Sequence, residues 1–176
     1  GGVPAFDEIR VADIKPALQS GMAQQLAAIK RIAANPEPAT FENTLAALEG
    51  SGRALDRAGT VFGIYTSTLN DDAVQAVERE MAPQLAAFND QITQNAALFK
   101  RIEAVYDARN TSGLTPEQQR LAWLYHTNFV HAGARLDDAA KAKLSEINQR
   151  LATLSTSFSQ NLLADEARAQ PLVQLE

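Results

Sequence analysis

The chain has 176 residues, of which 45% are hydrophobic and 21% charged, with 16 Lys and Arg against 21 Asp and Glu, a net charge of −5, and no cysteine. That balance fits one soluble domain with a sizeable core. It excludes disulfide frameworks, thiolate metal sites and Cys nucleophiles, and it argues against a nucleic-acid partner, because no basic run is interleaved with aromatics. No stretch approaches the ~18 consecutive apolar residues of a membrane span, so no membrane partner is expected. The sequence begins GGVPAFDEIR rather than at Met. The lack of cysteine does not decide between the cytoplasm and an oxidising compartment, and a native leader could have been removed.

Residues 1–12 read as a lead-in, 13–166 as a helical domain and 167–176 as a tail. Asp13 is placed to cap a first helix whose Ile14, Leu18, Met22, Leu26, Ile29 and Ile32 share one face, and Asn35-Pro36-Glu37-Pro38 stops it. Thr40 caps a second, TFENTLAALEGSGRALDRAGTVFGIYTSTL, in which Phe41, Leu45, Leu48, Leu55, Phe62 and Tyr65 keep roughly helical spacing. Each interior glycine costs ~1 kcal/mol against Ala. Gly50, Gly52, Gly59 and Gly63 therefore predict close helix-to-helix contact, or else a break at Gly50-Ser51-Gly52. Asn70-Asp71-Asp72 predicts a turn and cap before a third helix with Val74, Val77, Met81, Leu85, Phe88 and Ile92 buried, and a kink at Pro83.

A fourth helix over about Ala96 to Arg109 carries Leu98, Ile102 and Val105 and ends at Asn110-Thr111-Ser112-Gly113. Thr115, Pro116 and Gln118 form a capping box opening a fifth, with Leu121, Leu124 and Phe129 as its apolar face and Gly133 as its exit. The last helix, DDAAKAKLSEINQRLATLSTSFSQNLLADE, shows Leu144, Ile147, Leu151, Leu154, Phe158 and Leu162 as a long regular apolar stripe. Strand-like alternation is absent except for PLVQL at the end. The expected fold is all-α, an antiparallel bundle of about six helices with a short irregular or strand-like tail.

Chemistry is harder to find. The two histidines, His126 and His131, lie in HTNFVHAGARL at i, i+5, so they point ~140° apart around a helix and cannot both reach one metal. No Glu follows His126, and Trp123 and Asn128 occupy the positions where a Glu-x-x-His site needs a carboxylate. They read as partly exposed or hydrogen-bonded helix histidines. GSGRALDRAG lacks the GKS or GKT ending and the preceding strand of a phosphate loop. Of the carboxylate clusters, Asp71-Asp72 and Asp137-Asp138 read as helix caps, and Glu78 with Glu80 flank Arg79 on a solvated face. The hydroxyls of LATLSTSFSQN read as facing water or back-bonding the preceding turn. No catalytic, cofactor-binding or metal-ligating residue is assigned.

Three stretches, in this order, resemble one family: FENTLAALEGSGRALDR, then NDQITQNAALFKRIEAVYDARNTSGLTPEQQRL, then NFVHAGARLDDAAKAKLSEINQRLATLSTSFSQNLLADE. They are similar to the amino-terminal part of the zinc oligopeptidases related to thimet oligopeptidase and oligopeptidase A. The opening GMAQQLAAIKRIAANPEPATFENTLAALE and the AGARL element look most like the bacterial peptidyl-dipeptidase Dcp branch. The resemblance runs from about Phe6 to Glu166.

It implies a parent zinc metallopeptidase that cleaves short peptides, with zinc held by a His-Glu-x-x-His helix and a downstream Glu that this chain does not contain. It also implies that these helices form one non-catalytic wall of the substrate channel, opposite a C-terminal catalytic domain of the same polypeptide. The chain alone is then expected to bind no zinc, to be inactive, and to self-associate weakly through its docking surface. A free-standing helical interaction module is the alternative, and a complete enzyme with an unrecognised carboxylate site ranks last.

Overall fold

Pro36 and Pro38 leave the first interhelical loop short of backbone donors, and the chain compensates with a buried arginine from far along the sequence. In the computed structural model, which describes residues 4–169, the Arg101 guanidinium donates to the carbonyls of Asn35 and Glu37, both at 2.9 Å, and to Asn43 Oδ1 at 2.8 Å. Asn43 answers by donating to Pro38 O at 2.9 Å. Hydrogen bonds to a charged group are worth ~1.5–3 kcal/mol each in context. This knot sets how the first two helical segments meet the fourth helix.

Six α-helices account for most of the described residues, with no strand among them: α1 Val11–Ala33, α2 Arg53–Thr68, α3 Asp72–Thr93, α4 Ala96–Ala108, α5 Pro116–His131 and α6 Asp138–Ala169. The all-α expectation holds. The final helix extends to Ala169, past the expected boundary at 166, and PLVQL lies outside the described residues.

Several local expectations need correction. Asp13 is not the residue before α1 but sits in its first turn, where its carboxylate accepts from the Arg10 N–H at 3.1 Å. A carboxylate satisfies an orphan donor equally well from either side of a helix start. The second segment is composite rather than one regular helix, and its irregularity at Gly50-Ser51-Gly52 is the alternative that the sequence offered. It opens with a wide i→i+5 turn at Phe41–Ala46, passes through Ala47–Glu49 and tightens into an i→i+3 turn at Gly50–Gly52 before α2 begins. Thr40 does cap it, exchanging bonds with Asn43 at 3.1 and 2.8 Å.

Of the four glycines expected to mediate close packing, only Gly52 sits at such a contact. Gly50, Gly59 and Gly63 face open space, whereas a Cβ on the buried Gly52 would lie 3.0 Å from the Gln25 side chain of α1. A closer approach is made by Gly21 of α1, where a Cβ would lie 2.8 Å from the Leu55 Cα on α2. Helix α1 is thereby pressed onto α2, and it also touches α3 and α4. Its Ile14, Leu18, Met22, Ile29 and Ile32 join Met81, Leu98 and Ile102 in the core.

Three caps appear where the sequence places them. Asp71 accepts from Val74 N–H at 2.8 Å, Thr115 and Gln118 form their reciprocal pair, and Asp137 accepts from Ala140 N–H at 2.8 Å. Helix α3 runs on through Pro83. Gly133 makes the turn out of α5 with φ of 92°, a conformation that side chains disfavour. On α5 itself Phe129 is buried, but Leu124, expected on the inner face, is exposed.

Helix α6 is the element whose apolar face is least covered. It lies along α3, yet its apolar stripe faces away. Ile147 is 49% exposed, Leu151 59%, Leu154 56%, Phe158 70% and Leu162 51%. What α6 turns inward is polar. Asn148 donates to Asp90 Oδ1 at 2.8 Å, and Gln160 donates to Gln75 O at 3.1 Å and Glu78 Oε2 at 2.7 Å while accepting from Arg79 at 2.5 Å. Glu78 and Arg79 therefore tie two helices together rather than lying on a merely solvated face, and Glu80 pairs with Lys15.

Candidate functional site

The histidines are separated by structure as well as by spacing. His131 is exposed in the last turn of α5. His126 is tucked against α4, its ring stacked on Tyr106 with centroids 4.0 Å apart and 8° between planes, and on Phe99 at 5.7 Å. The Arg109 guanidinium lies 3.8 Å from the Tyr106 ring centre. Arg135, in the turn beyond α5, reaches Glu103 at 2.8 Å and His126 Nε2 at 3.3 Å.

A guanidinium only donates, so Nε2 accepts and the neutral ring carries its proton on Nδ1. Burial first, and the Arg135 charge second, hold the His126 pKa below its ordinary value of 6.5. The opposing charges are those of Glu103 and Asp107.

This arrangement does not suit a divalent metal. The Nε2 lone pair is already engaged, a fixed cation sits beside it, and among the described residues no group of three or more His, Cys, Asp or Glu comes together as a ligand set. Zinc of the kind the family resemblance implies does not fit the donors present here. What the cluster can do is stitch α4, α5 and the turn after α5 into one unit. Tyr125, one residue earlier, extends the stitch by donating to Glu49, and burial together with that carboxylate raises its pKa.

A polar cleft of about 380 Å3 lies between α3 and α6, lined by Asp90, Gln91, Gln94, Lys141, Ser145 and Gln149. Asp90 Oδ2 and Gln94 Nε2 are buried there without a protein partner, an acceptor and a donor of the kind that a buried water bridges. The hydroxyls of the last helix back-bond as expected, Thr153 to Gln149 O and Ser157 to Thr153 O, both at 3.0 Å. They are not poised as nucleophiles.

The remaining feature with functional content is therefore a surface rather than a constellation: the outer face of α6, where five large apolar side chains stand in solvent. Sequence periodicity finds these residues as one stripe but does not say what covers it. Arg101, Asn148 and Gln160, which position the elements around them, give no pattern signal, because their partners lie about 60 to 85 residues away in sequence.

No protein-family model matches the chain. It is 41% identical over 161 residues to a dipeptidyl carboxypeptidase of Escherichia coli strain K12, a match covering 92% of this chain and 24% of that protein. It is 39% identical over 161 residues to a dipeptidyl carboxypeptidase of Salmonella typhimurium, again 92% of this chain and 24% of the relative. An organellar oligopeptidase A of Arabidopsis thaliana is 22% identical over 173 residues, 97% of this chain and 21% of its own length. The chain thus spans about a quarter of the length of the curated relatives it matches.

Proposed function

The chain is homologous to a part of the dipeptidyl carboxypeptidase and oligopeptidase A family, and from that premise we propose that it is a non-catalytic helical part of a zinc metallopeptidase that cleaves short peptides. In this reading the helices form one wall of the substrate channel, and the zinc and the group that activates water belong to a catalytic domain outside these 176 residues. The wall acts before the bond-breaking step. It excludes folded or bulky substrates and orients those that enter, which changes which peptides reach the reacting atoms and leaves the chemical step to other residues. The observation that carries the proposal is the 41% identity over 92% of this chain to a protein of which the match covers only 24%.

The test is to produce the polypeptide encoded by the reading frame extended beyond Glu176 alongside the 176-residue chain. Each is assayed on short peptides with and without a chelator. The longer protein should cleave and lose activity on chelation, and the short chain should neither cleave nor retain stoichiometric zinc. Chelator-sensitive cleavage by the short chain would overturn the assignment. The alternative, a free-standing interaction module, draws support from the apolar outer face of α6, and a stop codon directly after Glu176 would favour it. Cytoplasmic placement belongs to the same proposal, and recovery of the protein in a periplasmic extract would refute it.

A further inference from the structure

Helix α6 is amphipathic in the wrong sense for an outer helix. Its Asn148 and Gln160 are held to α3 by hydrogen bonds between 2.5 and 3.1 Å, and its large apolar side chains point out. At 3.6 residues per turn the mean direction of Ile147, Leu151, Leu154 and Phe158 lies ~150° around the helix from that anchored face. The helix cannot simply roll to bury the stripe. Rolling would strip partners from Asp90 and Gln160, both nearly fully buried, and stranded polar groups of that kind are costly. The outer face is thus built to remain available while the inner one stays docked.

The spacing says what kind of element fits. Ile147, Leu151, Leu154 and Phe158 recur at intervals of four, three and four residues, the a/d alternation by which one helix receives the knobs of another. We infer that this face of α6 is the docking seam for a helix from the remainder of the longer polypeptide, so that α6 ends up sandwiched between α3 and that helix. The inference rests on the reading of this chain as part of a larger protein, since the relatives it matches are covered only to 24%. Five partly exposed side chains fall short of the ~800 Å2 per partner of a standard stable interface. Such a seam gives firm docking when a covalent link supplies an effective concentration near millimolar, and weak docking when two free copies must meet.

Hydroxyl-radical footprinting of Leu151, Leu154 and Phe158 tests this in the longer polypeptide and in the 176-residue chain, each at low micromolar concentration with its mass checked by sedimentation. The expected result is labelling at least about fivefold slower in the monomeric longer protein than in the short chain, as apolar side chains enter a packed seam. The double substitution L151K/L154K in the longer protein should bring labelling of Phe158 back toward the rate in the short chain. Equal labelling in both, with the longer protein still cleaving peptides, would overturn the docking seam and leave the peptidase reading intact. Protection that appears only with dimer formation would also overturn it, making a second copy the occupant. Protection in a monomeric longer protein that cleaves no peptide would keep the seam and remove the peptidase reading.

Discussion

Helices α1 and α6 carry apolar stripes of similar regularity, yet one is the centre of the core and the other stands in water. In α1, Leu18 is 1% exposed and Ile29 1%, packed among residues of α3 and α4. In α6, the corresponding stripe is about half exposed, and the buried contacts are made by Asn148 and Gln160. Amphipathic spacing reports that a helix has an apolar face to cover. It does not report whether the cover lies within the same 176 residues.

The contrast breaks most sharply at paired truncations. Leu18→Ala should cost ~2–5 kcal/mol, since it opens a cavity in a fully packed site. Leu154→Ala in the same chain should stay within ~0.5 kcal/mol. Urea midpoints of the two variants decide it, and a loss at Leu154 comparable with that at Leu18 would mean that the seam is already covered. Next comes Gly21→Ala, whose methyl would press on the Leu55 backbone and should destabilise by ~1–3 kcal/mol. Gly59→Ala on α2 meets nothing within 4 Å and should instead stabilise, by up to ~1 kcal/mol. Opposite shifts in melting temperature are the expected readout.

Gln160→Ala tests the polar anchor of α6. It removes three hydrogen bonds and leaves Arg79 and Glu78 to solvent or each other, for an expected loss of ~1–2 kcal/mol. Faster amide exchange should follow in α6 with little change in α1.

The smallest effect is with His126. Its pKa is depressed in the folded chain, so the unfolded chain binds the proton more readily. Stability is fully present above the ordinary value of 6.5, falls as pH drops from there toward the folded-state pKa, and is lost no further below it. His126→Gln should flatten that part of the stability curve measured by denaturant titration at stepped pH. An unchanged slope would show that the ring is not held as described.

Legibility follows the range of the interactions. Thr40, Asp71, Thr115 and Asp137 are readable as caps because each acts on a backbone group three residues away. The capping box at Thr115 correctly places His126 and His131 on one helix, and their i, i+5 spacing sets them apart in direction. The stacking of His126 on Tyr106 and its approach by Arg135 have no sequence signal, because they depend on how α5 settles against α4.

The sequence by itself determined where most of the helices start, that they are amphipathic, and that the chain resembles one peptidase family, since caps, propensity and periodicity are local properties of the chain. Only the tertiary structure decided that Gly21 rather than Gly59 is the point of close approach, that Arg101 closes the first loop, and that α6 turns its polar side inward. Each of these is a choice among partners distant along the chain. Such choices are settled by the steric fit and hydrogen-bond satisfaction of the assembled helices, which no window of neighbouring residues contains.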